Sequence, residues 1–534
     1  MKISLCQLNF SLGDLKNNQE KIIDNYNESI KDGADIVVFP EMSTVGYPPQ
    51  DLLWDKNFVD KNIQITKYIS KISSKPIIFG CIRRDKGKLY NSAAICYGGK
   101  IQKYIDKVLL PTYDVFDETR YFTSGIKPVV WDYILNGENI KIGVQICEDL
   151  WDDNYECKVS QIQKDLGANL IINISASPYS QGKAYDRVNL INTKVKDTGL
   201  PFVYCNMVGA QDELIYDGES FAMNSSGSII AYLKSFKEDR LIVNVQSKKS
   251  INIKTLSDEE KTYDALVLGL SDYFQKTNHS DAVIGLSGGI DSSLVCCLAV
   301  AALGSDHVHG VSLPSKYSSS HSIDDAKQLA DNLKIDYMVI SIEELVKKYD
   351  DTLHKYFRGL EPDEAEQNIQ SRIRGNILMA LSNKFNWMVL STGNKTELAL
   401  GYCTLYGDMN GGLSVISDLS KLDVYSLSKW INNRLPNRIP ESSIRKAPSA
   451  ELAKDQVDPF DYSIVSPLVD ELVGGIKNRD ELISDGYDPK LIDEISGQIR
   501  LNEFKRRQSA PGLKISRKAF GIGRRMPIVS KYKG

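Results

Sequence analysis

An α/β fold in two domains is predicted by three features of the sequence. Short β-branched runs alternate with longer amphipathic stretches. A polar, charged interval interrupts that alternation near the middle. Beyond it the pattern restarts with a helix, a buried strand and a glycine turn. At 534 residues the chain exceeds what one hydrophobic core organises, so two large domains fit its length.

The runs ADIVVFPE, KPIIFGCI, NIKIGVQICED, ANLIINISAS and PFVYCNMV read as strands, each ending in a loop with polar residues. Between them, residues 17–31 and 186–198 carry helical periodicity. QSKKSINIKTLSDEE, residues 246–260, follows the strand-like LIVNV and separates a first domain, 1–245, from a second, 261–534. Residues 261–275 then read as a helix and DAVIGL as a strand. The serine-rich PSKYSSSHS, residues 314–322, is expected to be a mobile loop. No internal repeat or long low-complexity tract is present.

Composition narrows the function classes. With 42% hydrophobic and 25% charged residues the chain is ordinary for a globular protein. A net charge of -4 gives no global attraction to nucleic acid or to an anionic membrane, so neither is expected as a partner. MKISLCQLNFSLGDL has one Lys and no long apolar run, so it does not read as a signal peptide. No stretch approaches the ~20 apolar residues of a membrane span. Nine cysteines are dispersed without paired spacing, the pattern of a reduced, cytoplasmic chain. Cys296 and Cys297 are adjacent in an apolar helical run and read as core. The five histidines form no zinc-type cluster with cysteine.

Two constellations carry chemistry. In the first, Glu41 ends DIVVFPE, Cys147 ends KIGVQICED and Lys107 lies in YIDKVLLPTYDVFDETRYF. Singly, each has an ordinary role: loop carboxylate, small core residue, surface lysine. Together they are complementary. A thiol needs a base to become a nucleophile, and Glu41 can supply it. Attack on an amide carbonyl creates an oxyanion, and Lys107 can stabilise it. The same glutamate can protonate departing ammonia and activate water against the thioester.

The flanks FPEM, KVLLPTYDVFDETRYF and QICEDLW resemble the nitrilase superfamily and its Glu–Lys–Cys triad, from Met1 to about residue 245. That resemblance implies an α-β-β-α sandwich, carbon–nitrogen bond hydrolysis and Glu118 as a second carboxylate beside the triad. ISASPYSQGKAYDR is similar to the substrate loop of glutaminase members. It implies that Tyr113, Ser177 and Lys183 hold glutamine, although loop packing is an equal alternative for Tyr113 and Ser177.

The second constellation is AVIGLSGGIDSSLVCCLAVAA, residues 282–302: strand, tight glycine turn, helix. Gly288 and Gly289 permit close backbone approach, and Ser287, Ser292 and Ser293 offer hydroxyls where a helix N-terminus favours phosphate. No Lys follows the second glycine, so this is not a GxxxxGK[ST] loop. An N-capped helix after a buried strand would look the same from its glycines alone.

SGGIDSS as a unit resembles the loop of ATP pyrophosphatases. It implies a Rossmann-like parallel sheet, ATP contacts from Gly285, Leu286, Ser287, Gly288, Gly289, Ile290, Asp291 and Ser292, and Asp291 as a Mg²⁺ ligand. NIQSRIRGNILMA, STGNKTELALGYCTLYGD, PSAELAKDQVDPFDY and FKRRQSAPGLKISRKAFGIGRR are similar to NAD synthetases. This resemblance covers about 255–534. It implies that Thr392 contacts ATP, that Glu397 lies near Mg²⁺ or the dinucleotide, and that Asn368, Arg374, Asp408 and Lys505 line the deamido-NAD site. Lys395 is placed near phosphate. The eight Lys and Arg between Lys505 and Arg525 are expected to meet substrate phosphates, with a solvated or nucleic-acid-binding surface as the alternative. Thr396 stands where many members carry Ser, which preserves the hydroxyl.

The expected reaction uses ATP and glutamine as co-substrates and Mg²⁺ as cofactor. AMP is moved onto the nicotinate carboxylate of deamido-NAD, and ammonia from glutamine displaces it. Two rivals remain: another amide-forming ATP pyrophosphatase, and a non-catalytic relative. The second would have lost its nucleophile or broken its loop, and both are intact. The family further implies a homo-oligomer built on a synthetase-domain dimer. Two complementary chemistries on one chain imply protected passage of ammonia between them.

Overall fold

The computed structural model describes residues 1–253, 255–453 and 456–532. Lys254 of the polar interval, Lys454 and Asp455 of PSAELAKDQVDPFDY, and Lys533 and Gly534 lie outside them. The chain divides into two compact units, Met1–Leu256 and Ser257–Gly534.

The first unit contains β1 (Lys2–Gln7), β2 (Ile36–Val38), β3 (Ile77–Asp85), β4 (Lys88–Tyr97), β5 (Lys100–Asp106), β6 (Val130–Leu135), β7 (Glu138–Ile146), β8 (Leu170–Ser175), β9 (Phe202–Asn206), β10 (Val208–Gln211), β11 (Leu214–Asp217), β12 (Phe221–Met223), β13 (Ile229–Tyr232) and β14 (Asp239–Asn244). Two six-stranded sheets form, ordered β14-β1-β2-β3-β4-β5 and β13-β12-β9-β8-β7-β6, with β10-β11 as a separate pair. Parallel strands occupy each centre, β1-β2-β3 in one and β7-β8-β9 in the other.

The centres are buried on both faces, which explains why β2, β8 and β9 read as continuous apolar runs rather than alternating ones. Side-chain alternation then sorts the layers. Ile3, Leu5, Ile36 and Ile78 of the first sheet pack against Ile142, Val144, Ile172 and Ile174 of the second. On the outer faces, helices Leu15–Lys31 and Lys56–Ile72 cover the first sheet through Ile22, Tyr26, Val59 and Ile69. Helix Lys183–Thr198 covers the second through Ile191 and Val195. The result is the α-β-β-α sandwich.

The second unit contains β15 (Ala282–Gly285), β16 (Val308–Ser312), β17 (Asp336–Val339), β18 (Met388–Ser391) and β19 (Leu413–Ser414), ordered β17-β16-β15-β18-β19 with every pairing parallel. The chain builds outward from β15 to β17, then returns to β15's other side. That reversal makes a switch point at the carboxyl end of β15, where open parallel sheets bind ligands. SGGIDSS occupies it.

One expectation needs correction. Residues 314–322 are not all loop, because helix Ser320–Leu333 begins inside the segment with Ser319 as its N-cap. Ser319 Oγ accepts the Ser322 amide, and Glu451 accepts from the hydroxyls of Ser319 and Ser322 at 3.0 and 2.6 Å. A serine cluster that resembles loop composition is here a capping motif. Among the described residues no helix is long and apolar enough to cross a membrane.

Candidate active sites

The first site collects residues from the ends of three strands. Glu41 follows β2, Lys107 follows β5 and Cys147 follows β7. β5 runs in the direction of β3, because β4 is antiparallel to both, so Glu41 and Lys107 leave the first sheet at one edge. Gly80 of β3 allows this packing: a Cβ there would stand 2.1 Å from the Met42 nitrogen and 2.5 Å from Glu41 Cα.

Glu41, Lys107, Glu118 and Cys147 are all buried. Lys107 Nζ donates to Glu41 Oε1 at 2.8 Å and to Glu118 Oε1 at 2.7 Å. Asn91 Nδ2 donates to Glu41 Oε1 at 2.6 Å, and the Ala176 amide to Glu41 Oε2 at 2.9 Å. Tyr47 donates to Glu118 at 2.8 Å. Burial opposes the Lys107 charge, but Glu118 and Glu41 outweigh it and hold its pKa well above the usual lysine range. Burial pushes the Glu118 carboxyl up.

Cys147 occupies a turn between β7 and the 3₁₀ segment Cys147–Leu150, at a φ of 42°. A side-chain-bearing residue is strained there, so its neighbours must hold it. Burial raises the thiol well above its ordinary value; Glu41 adds to the rise and Lys107 opposes it. A thiol raised in this way holds its proton, and it would need a base in order to act as a nucleophile.

Around this turn lie the residues implied to hold glutamine. Tyr113 is half exposed and donates to Glu148 Oε2 at 2.9 Å, while Tyr155 donates to Glu148 Oε1 at 3.0 Å. The Lys183 ammonium sits 3.7 Å above the centre of the Trp151 ring. Burial, and then Arg187, pushes its pKa down to about 8. Ser177 is buried, its amide donating to Asn206 Oδ1 at 2.9 Å and its carbonyl accepting from Arg187 at 3.2 Å. Arg187 also pairs with both Asp217 oxygens at 2.8 Å. Sequence reasoning missed Asn91, Glu148, Asp149 and Arg187, although the last three lay inside motifs that it used.

The second site is a cavity at the end of β15. Gly285, Leu286, Ser287, Gly289, Ile290, Asp291, Ser292, Arg374, Thr392, Glu397 and Asp408 line it. Gly288 stands behind the wall at a φ of 73°, where a Cβ would meet the Ser322 carbonyl at 2.2 Å. Ser293 is also turned away: its buried hydroxyl donates to the Gly289 carbonyl at 2.8 Å, closing the first helical turn instead of facing the cavity.

Asp291 and Glu397 converge on one cation. Lys421 Nζ donates to Asp291 Oδ2 at 2.6 Å and Glu397 Oε1 at 3.1 Å, and Asn394 Nδ2 donates to Asp291 Oδ1 at 2.9 Å. Burial pushes Glu397 up to about 7, even though Lys421 counters it. Sequence reasoning missed Lys421 and Asn394. Among the described residues no group of three His, Cys, Asp or Glu could hold a metal. The Asp291–Glu397 pair nevertheless presents oxygen donors alone, which suits a hard cation whose other positions come from phosphate and water.

Arg374 donates through Nε to the Leu313 carbonyl at 2.9 Å, and burial lowers its pKa to about 10. Asp408 is open to the cavity and accepts the Thr404 amide at 2.7 Å; the enclosing walls bury it from bulk water and push it up to about 6.

Other implied residues lie outside the cavity wall. Asn368 accepts from the Thr404 hydroxyl at 2.7 Å, and Lys505 donates to the carbonyls of Gly401 and Cys403 at 2.7 and 3.0 Å. Lys395 pairs with Asp418 at 3.2 Å and Asp470 at 2.7 Å. Part of the basic run is likewise engaged within the protein, while Arg507, Arg517 and Arg525 are exposed. Arg506, Arg507 and Arg524 pair with Glu503, and Lys514 and Lys518 donate to backbone carbonyls.

Comparison with known proteins covers both units. The family described as carbon-nitrogen hydrolase matches residues 2–255, and the one described as NAD synthase matches 262–509. A curated relative from Synechocystis sp., named glutamine-dependent NAD(+) synthetase, is 43% identical over 99% of each chain. One of the same name from Thermotoga maritima is 39% identical over 100% of this chain and 99% of its own. The solved glutamine-dependent NAD+ synthetase of Acinetobacter baumannii, in complex with ADP, superposes with a TM-score of 0.80 at 35% identity, covering 99% of this chain and 98% of that one.

Proposed function

The chain belongs to the glutamine-dependent NAD+ synthetase family, and on that premise we propose how its residues divide the work. It amidates deamido-NAD to NAD in an ATP-dependent reaction, with glutamine as the amide donor.

Glutamine hydrolysis falls to the first site. Glutamine enters with its α-carboxylate toward Lys183 and its amide carbon against Cys147 Sγ. Glu41 takes the thiol proton as sulfur attacks, and Lys107 stabilises the oxyanion. Glu41 then protonates the leaving ammonia and draws a proton from water to cleave the thioester. Glu118 shares the Lys107 ammonium and keeps it charged, supported by its 2.7 Å contact. Tyr113 and Ser177 complete the glutamine site. The observation carrying this reading is the buried convergence of Glu41 and Lys107 beside the Cys147 turn.

Adenylation falls to the cavity at β15. The Gly285–Ser292 loop and Thr392 take ATP, and Arg374, Glu397 and Asp408 face deamido-NAD. Mg²⁺ would be held by Asp291 and Glu397, and when bound it neutralises charge on the departing pyrophosphate. Lys421 is the protein's own counter-charge to that pair.

Three wider features belong to the same proposal. The nine cysteines are all free, which supports a reducing, cytoplasmic setting. Helix Glu343–Phe357 buries no residue and exposes Leu345, Tyr349 and Tyr356, which supports a homo-oligomer built through the second unit. Ammonia passes between the sites without mixing with solvent, because protonation and dilution would remove the nucleophile. The test supplies ¹⁵N-amide glutamine with excess unlabelled ammonium. Enrichment of NAD in ¹⁵N above the bulk pool supports protected passage, and label equal to that pool refutes it.

A further inference from the structure

The residues assigned to glutamine hydrolysis come from two different sheets. Glu41 and Lys107 leave the first sheet, and Cys147 leaves the second. Apolar burial between the sheets is non-directional, whereas nucleophile-to-cation geometry needs a set distance and orientation. Something local has to fix the distance between the two sheet ends.

Asp149 lies two residues beyond the nucleophile and is 2% exposed. Its Oδ2 accepts the Ile146 amide at 3.0 Å, on the residue that enters the strained Cys147 turn. Its Oδ1 accepts the amides of Val108 and Leu109 at 3.0 and 2.9 Å, on the residues that leave Lys107. One carboxylate thus binds the second sheet's end with one oxygen and the first sheet's end with the other. The Lys107 backbone is otherwise held on its own side: its amide donates to Asn91 at 2.9 Å, and its carbonyl accepts from Gly125 at 2.8 Å.

We infer that Asp149 is a positioning residue for glutamine hydrolysis, a clamp across the two sheets that sets the spacing of Cys147 and Lys107. The inference rests on the roles proposed for those two residues.

The chemistry of the clamp requires a carboxylate of this length. Three amide donors need acceptors on both oxygens. An amide side chain can still accept from Val108 and Leu109, but its NH₂ then faces the Ile146 N–H, donor against donor. A glutamate offers every acceptor but adds a methylene, which pushes the two segments apart.

Asp149→Asn and Asp149→Glu in the full chain test this. Both should lower kcat with glutamine, on the order of 10²-fold as for a misplacement of about 1 Å. The KM for glutamine and NAD synthesis from ammonium should stay near wild type. Asp149→Glu should remain fully folded at the assay temperature and still turn over slowly, which separates spacing from mere satisfaction of the amides. A glutamate variant at wild-type kcat overturns the inference. A loss that follows the fraction of unfolded protein at the assay temperature also overturns it. Cys147→Ala distinguishes the two layers: if that variant still uses glutamine, the assignment of the nucleophile has failed. If it is dead while Asp149→Glu is normal, the clamp alone has failed.

Discussion

The Lys107 ammonium lies 2.8 Å from Glu41 Oε1, with both side chains buried, and Glu118 approaches the same nitrogen at 2.7 Å. One cation therefore serves two carboxylates in a buried site, and removing it has two separable consequences. Lys107→Met should cut glutaminase turnover by about 10²-fold or more, as loss of an oxyanion donor does. It should also cost about 3–5 kcal/mol of first-unit stability, because two buried carboxylates lose their partner. Ammonium-driven NAD synthesis should change little. Equal losses with both nitrogen donors would make Lys107 a folding residue and nothing more.

Lys183 predicts a pH dependence. Its pKa is pushed down from 10.5 to about 8, chiefly by burial. Binding a carboxylate needs the ammonium, so the KM for glutamine should rise as pH increases through about 8, well below the range where an ordinary lysine discharges. The unfolded chain keeps that proton longer, so this group's contribution to stability rises with pH between about 8 and 10.5. Lys183→Arg keeps its charge throughout and should flatten the KM profile. A wild-type KM that does not change across pH 8 would remove Lys183 from the carboxylate site.

Asp291 takes one hydrogen bond from Lys421 and one from Asn394, at the switch point of the parallel sheet. Asp291→Asn should cripple NAD synthesis from glutamine and from ammonium alike, since adenylation precedes both. Release of AMP and pyrophosphate at the wild-type rate by this variant would exclude Asp291 from the pyrophosphate site.

The sheets and their principal helices were legible because period and apolar runs report burial directly. ANLIINISAS reads as a buried strand, and β8 is one. Glu41 and Cys147 stood out as candidates through their flanking residues. Lys421, Asp149 and Arg187 did not, for a common physical reason. A charged residue in a single sequence reads as solvated, and its burial depends on partners brought from afar. Lys421 meets Asp291 across a separation of 130 positions. The same blindness hid the partners of Lys395, which pairs with Asp418 and Asp470, and of the basic run, three of whose arginines surround Glu503. Serines 319 and 322 were misread because capping and loop residues share a composition.

In the proposed division of work, one chain makes ammonia at Cys147 and uses it at a separate ATP-dependent site. The most direct measurement compares NAD formation by the wild type and Cys147→Ala, each given deamido-NAD and ATP with either glutamine or high ammonium. The variant should lose glutamine-dependent synthesis completely, because no thioester can form, and should keep ammonium-dependent synthesis near the wild-type rate. Glutamine-dependent NAD formation by the purified variant would contradict the claim.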